Sequence, residues 1–313
     1  MLLALLLIAA VQQSPVATAA TCVGEPLPRA AVDGAQLMRD VQVLAADSME
    51  GRELGRPGGA RARRYLASRI RGLGLDSLGP LEQPFSAGRR GDTVVTGTNL
   101  VALVKGTVDQ DHHLVVTAHY DHEGVRRGQV YNGADDNASG VAALLAIAEH
   151  LKRHPPRHSV LLVWFDGEER GLVGAHAFLR TSLVPRAAMA VNVNLDMVGR
   201  SDKRRLFAVG PLARPVLTSY VRAAACRTPI ALMLGHDRGS PGREDWTNQS
   251  DQGAFDQVGI PFVYLGVEDH EDYHRPTDDA DRLHPTFFAG AVQAAIALVE
   301  ELDADLAPLR RTP

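Results

Sequence analysis

Two histidines and a set of acids supply the residue types with which this sequence could do chemistry. His119-Tyr120-Asp121 closes the apolar run Leu114-Val115-Val116-Thr117-Ala118. Downstream stand Asn132-Gly133-Ala134-Asp135-Asp136-Asn137-Ala138-Ser139-Gly140, then Asp166-Gly167-Glu168-Glu169, Asn194-Leu195-Asp196-Met197 and Asp272-Tyr273-His274. Imidazole and carboxylate without thiolate fit a catalytic zinc better than a structural one. His119 and Asp121 are two apart, so on extended backbone their side chains share a face. That suits a metal-bound imidazole whose second nitrogen donates to a carboxylate. Glu168 and Glu169 are adjacent and point different ways, so one can bind metal while the other faces an attacking water. Gly167 lets the chain turn sharply just before them.

These motifs need elements to hold them. Strand-like runs are expected over residues 98–105, 114–118, 159–165, 190–195, 206–209 and 260–265. Helical spacing of apolar residues predicts helices over 35–46, 60–71, 140–150, 173–180, 211–225 and 285–302, with a Gly/Arg-rich loop over 51–59. Strands alternating with helices point to an α/β layered sheet. In such sheets sites form outside the C-terminal ends of the strands. His119, Glu168 with Glu169, Asp196 and the loop 266–274 each follow one of the expected strands. Chance would scatter them over both edges.

With 313 residues and 45% hydrophobic residues the chain can bury a full core, and no repeat or linker divides it. A net charge of -4 gives no basic footprint for nucleic acid. Residues 1–20 read as a signal peptide: an apolar stretch, then Ala17-Thr18-Ala19-Ala20, with cleavage after Ala19 or Ala20. That stretch lacks the usual preceding Lys or Arg, and it is shorter than the about 20 residues needed to span a bilayer. The expectation is one exported domain over 21–313, periplasmic or extracellular and off the membrane after cleavage. Cys22 and Cys226 could pair in an oxidising compartment.

Taken together the motifs resemble the zinc aminopeptidases of peptidase family M28, the bacterial leucyl-aminopeptidase group. The match is His119-Tyr-Asp121, Gly-Ala-Asp135-Asp136-Asn-Ala-Ser-Gly, Gly-Glu168-Glu169, Asn-Leu-Asp196 and Tyr273-His274, in the family's order, over about residues 35–304. The resemblance implies a three-layer α/β/α sandwich around a mixed, largely parallel sheet, and a peptide substrate with a free N-terminus. It implies two zinc ions, one held by His119 and Asp196 and one by Glu169 and His274. Asp135 would bridge them, with a cis peptide after it. Glu168 would be the general base, Tyr273 a donor to the oxyanion, and Asp121 a support for His119. Asp135, Glu169 and Asp196 place three negative charges against the four of two Zn²⁺, so one further anion makes the site neutral and buriable. The residue after Ser250-Asp251, often His in the family, is Gln252.

Each residue also has a plainer reading. Asp135, Asp136 and Asn137 could cap the helix that starts at Gly140, Glu168-Glu169 could be a solvated loop, and Asp196 could cap a turn. Tyr273 could be a packed tyrosine. His270, in Glu268-Asp269-His270, rivals His274, and His122 has no partner that the sequence names. Two other functions fit the same motifs: a glutaminyl cyclase-like enzyme with one zinc, and a non-catalytic binding module on this fold. Metal stoichiometry separates the first from a dizinc peptidase, and loss of zinc binding would favour the second.

Overall fold

The computed structural model describes residues 27, 31–88, 94–181, 183–239 and 244–310. The signal-peptide expectation, residues 1–20, lies outside them. The described chain opens with α1 (Gly34–Leu44), where the Asp33 carboxylate accepts the amides of Ala35 and Gln36. A short 3-10 segment (Asp47–Arg52) leads to α2 (Pro57–Leu73), started by a proline at its first position and closed by Gly74 in left-handed conformation. Then come β1 (Glu82–Ala87), β2 (Val95–Val104), β3 (Asp109–His119) and a two-stranded ribbon of β4 (Gly124–Arg126) and β5 (Gln129–Tyr131). The remainder is α3 (Gly140–Arg153), β6 (His158–Phe165), α4 (Val173–Thr181), β7 (Met189–Leu195), β8 (Arg205–Val209), α5 (Thr218–Ala225), β9 (Ala231–Leu234), α6 (Gln252–Gln257), β10 (Phe262–Gly266) and α7 (Pro285–Ala304).

The main sheet has eight strands in the order β1-β2-β6-β3-β7-β10-β8-β9. Its central four, β6, β3, β7 and β10, are parallel, whereas β1–β2, β2–β6 and β10–β8 are antiparallel. These central strands are covered on both sides, which is why they read as unbroken apolar runs. Along β6, Val160, Leu162 and Trp164 join one core with α1, α2, α3, α5 and α7, and Leu161, Val163 and Phe165 join a second with α4 and α6. The sandwich therefore has three layers.

The structure departs from the sequence expectation in places with a physical cause. The 51–59 loop is largely ordered: Gly58 and Gly59 lie inside α2, where a Cβ would come within 2.0 Å of Met49 O and 2.7 Å of Glu53 O. They are glycines because the 3-10 segment packs on that first turn. Pro215 holds the expected 211–225 helix to a 3-10 turn and the shorter α5. The edge strands β1 and β9 were not expected, since their half-exposed residues form no apolar run. Cys226 is disulfide-bonded, and Cys22, the only other cysteine, lies outside the described residues. Leu27 N donates to Arg227 O, which brings the start of the described chain beside Cys226.

Candidate metal centre

Four adjacent parallel strands deliver their C-terminal ends to one edge of the sheet. β3 ends on His119 itself, β6 runs into Asp166-Gly167-Glu168-Glu169, β7 into Asp196, and β10 into the loop bearing His270, Tyr273 and His274. His119 Nε2 lies 3.5 Å from Asp136 Oδ1 and 3.4 Å from Asp196 Oδ2. His274 Nε2 lies 3.0 Å from Asp136 Oδ2 and 3.7 Å from Glu169 Oε1. One carboxylate thus faces two histidines with its two oxygens.

That carboxylate belongs to Asp136, which corrects the expectation for Asp135. Asp135 turns the other way: its Oδ1 accepts the Gly199 amide at 2.7 Å and its Oδ2 sits 3.2 Å from His270 Nε2. The local backbone imposes the choice. Asp278 accepts the amides of both Asp135 and Asp136, and Ser139 Oγ donates to Asp135 O. With the two peptides pinned, adjacent side chains point apart and only one acid can face the histidines. The cis peptide falls one residue later as well, at Asp136–Asn137. Asn137 ties the loop down, accepting from Gly140 N at 2.9 Å and donating to Leu195 O at 2.9 Å. The capping role and a metal-facing acid coexist in this loop, on different residues.

Asp121 also acts differently from the simple alternation argument. β3 ends at His119, so the period of two stops there. His119 Nδ1 approaches the backbone oxygen of Asp121 at 3.2 Å and its carboxylate only at 3.7 Å. The carboxylate instead accepts the amides of Glu168 (3.0 Å) and Glu169 (3.3 Å), fixing the turn that carries both acids. Tyr273 stacks on His274, ring centroids 4.0 Å apart, and lines a cavity of about 500 Å³ with Asp136, Glu168 and Asp196. His270, the rival to His274, is the partner of Asp135 behind the cluster.

Three contributors were missed from sequence. His122 is fully buried with Nδ1 2.8 Å from Glu169 Oε1. Arg52 is wholly buried and donates to Leu44 O, Tyr120 O, Asn132 O, Gly133 O and Asp136 O at 2.5–3.5 Å. Asp251 is buried with neither carboxylate oxygen hydrogen-bonded among the described residues. A run of apolar periodicity cannot flag any of them. For His122 the only signal was its place beside His119-Tyr120-Asp121.

The donor set fits metal. His119 Nε2, His122 Nδ1, Glu169 Oε1 and Asp196 Oδ1 are buried without hydrogen-bond partners among the described residues. Such atoms are costly unless something else satisfies them. His119, Asp136 and Asp196 place one atom each within 4.8 Å of one another, as do His122, Asp136 and Glu169. Electrostatics agree. Burial pushes the Glu169 carboxyl up to about 7 and Glu168 well above its usual range. Burial likewise raises Asp251 to about 8 and Asp278 to about 7. A buried crowd of acids raised together is short of positive charge, and divalent cations reverse that balance.

A three-layer α/β fold with imidazole and carboxylate donors gathered at the ends of its parallel strands is the architecture of zinc exopeptidases. A model of peptidase family M28 matches residues 99–299, and the chain belongs to that family. A probable zinc metalloprotease of Pyrenophora tritici-repentis is 33% identical over 159 residues, 47% of this chain and 35% of that protein. The chain thus spans about a third of that relative's length. The zinc aminopeptidase from Bacillus subtilis superposes with a TM-score of 0.70 at 18% identity, covering 89% of this chain and 98% of the other. Porphyromonas gingivalis glutaminyl cyclase does so with a TM-score of 0.69 at 17% identity, covering 86% and 98%.

Proposed function

We propose that this chain is an exported dizinc aminopeptidase that releases N-terminal residues from peptides. The observation that carries the proposal is one carboxylate shared between two histidine–carboxylate pairs: His119 with Asp196 on one side of Asp136, and His274 with Glu169 on the other. The chemistry that two zinc ions supply at such residues is polarisation of the scissile carbonyl and acidification of the attacking water. Glu168, at the cavity wall, takes the proton of that water and returns it to the leaving amine. The Tyr273 hydroxyl donates to the carbonyl oxygen as negative charge grows there. Asp121 acts through the amides of Glu168 and Glu169, holding the base in place. Trp246, Tyr264 and Leu172 give the cavity an apolar wall for a substrate side chain, and Glu244 and Asp269 bring acids for a free ammonium group.

One further observation supports part of this reading. A disulfide at Cys226 fits an oxidising compartment, consistent with export. Among the described residues no helix is long and apolar enough to cross a membrane. The rival is a cyclase acting on N-terminal Gln with one zinc, on the same fold. A single ion would leave one of the two histidine–carboxylate pairs without a task.

The test is turnover of aminoacyl anilides against N-blocked controls and a glutaminyl substrate. Activity on free N-termini, lost with chelator and restored by zinc, is the expected result. Cyclisation without hydrolysis would transfer the site to the rival, and turnover of blocked substrates would remove the aminopeptidase reading.

A further inference from the structure

His122 has no part in the reaction above, yet it is buried at the heart of the site. Its Nδ1 stands 2.8 Å from Glu169 Oε1 and 3.7 Å from Asp136 Oδ2. Those two acids are also the ones that His274 approaches, at 3.7 Å and 3.0 Å. The four separations bracket the about 3.3 Å between donors around a tetrahedral zinc with bonds of about 2.0–2.1 Å. Neither His122 Nδ1 nor Glu169 Oε1 has a hydrogen-bond partner among the described residues, although they are only 2.8 Å apart. A close pair of buried polar atoms that do not hydrogen-bond to each other is what two lone pairs aimed at a common point look like. The opposite flank of the ring is closed by Gly133, where a Cβ would meet the imidazole at 2.5 Å. The ring is therefore held from behind, with no room to swing back. Glu123 also reaches Glu169 and His274, but it is paired with Arg126 at 3.3 Å and sits nearer solvent.

We propose that His122 Nδ1 is a fourth protein ligand to the ion held by Asp136, Glu169 and His274, so that the two metal positions are unequal. The position of His119, Asp136 and Asp196 keeps three protein donors and an open side. The other is closed by protein. The closed position binds its ion more tightly and fills first, and the open one is the position that exchanges. This rests on the dimetal reading of the site.

The experiment uses the full chain, stripped of metal and titrated with Zn²⁺ and, separately, Co²⁺, by calorimetry and visible absorption. Wild type should show two binding events of different affinity, the tighter one first. His122→Ala and the polar His122→Asn should each weaken that tighter event at least about tenfold and change the first-bound cobalt spectrum. His119→Ala should remove the weaker event alone. A zinc-soaked crystal of the wild type provides a readout independent of folding, with a His122 Nδ1–zinc distance near the about 2.0–2.1 Å of a bond. A zinc with no His122 contact, or variants with unchanged affinities and spectra, would overturn the proposal while leaving the dizinc function standing. A wild-type chain that binds no zinc would overturn both.

Discussion

Asp136 is the residue on which the site turns. Its two oxygens face His119 and His274, whereas Asp135 is spent on Gly199 and His270. On the dizinc proposal, Asp136→Asn should cost both ions, and Asp135→Asn should keep both while lowering thermal stability, because a charged acceptor of a buried amide is weakened by about 1–2 kcal/mol. Metal analysis of the two purified variants checks this, and the reverse pattern would restore Asp135 as the bridge. Glu168→Gln should lower kcat by about 10²–10⁴-fold with KM and metal content close to wild type, read by steady-state kinetics. A variant that loses zinc instead would make Glu168 a ligand.

Much of the candidate site was legible because His119, Glu169, Asp196 and His274 each follow an expected strand, and strands announce themselves. His119, Glu169, Asp196 and His274 are all in the cluster that their motifs implied. Asp135 and Asp136 could not be told apart, since spacing cannot say which of two adjacent acids faces inward. That depends on Asp278, a residue over a hundred positions away, pinning both amides. His122 was hidden because β3 ends at His119, so the alternation that pairs His119 with Asp121 says nothing of where His122 points.

Among the elements, Arg52 does the most with the least sequence signal. It stands at the end of the 3-10 segment with φ of 54° and joins α1, the end of β3 and the metal-facing loop through five carbonyls. An arginine in a Gly/Arg-rich stretch reads as solvated, and only the fold reveals it as buried. Burial lowers its pKa to about 10, still far above neutrality, so it is a permanent cation beside Asp136. Arg52→Met should cost about 3–5 kcal/mol, the range for an uncompensated buried partner. Chemical denaturation measures it, and a loss under 1 kcal/mol would show that the carbonyls find other donors.

The start of β3 supports a pH prediction. Burial raises the Asp109 carboxyl, but hydrogen bonds from the His112 ring and from the Asp111 and His112 amides outweigh it and hold the pKa at about 2. A pKa depressed in the folded state gives stability that is present above the unfolded value of about 3.9 and is lost as pH falls through about 2. Asp109→Asn should flatten the fall in urea midpoint between those two values. An unchanged slope would mean that other carboxylates carry the acid transition.

At the scale of the whole molecule, the order β6-β3-β7-β10 is what gathers residues scattered over 119–274 into one cluster. The apolar runs announced those four strands, and their parallel alignment follows from the helices between them. The flanking strands β2 and β8 were announced as well, though not their antiparallel alignment, whereas the edge strands β1 and β9 were not, because half-exposed edges carry mixed residues. None of the candidate donors is carried on these strands, which is why the chemistry was more legible than the full topology.

The central claim is that this edge of the sheet holds two ions across Asp136. Its most direct measurement is the number of zinc ions bound per chain when metal-stripped protein is titrated, with hydrolysis of an aminoacyl anilide followed at each addition. Two ions per chain, with full activity reached only as the second binds, is the predicted result. Saturation and full activity at one ion would contradict it.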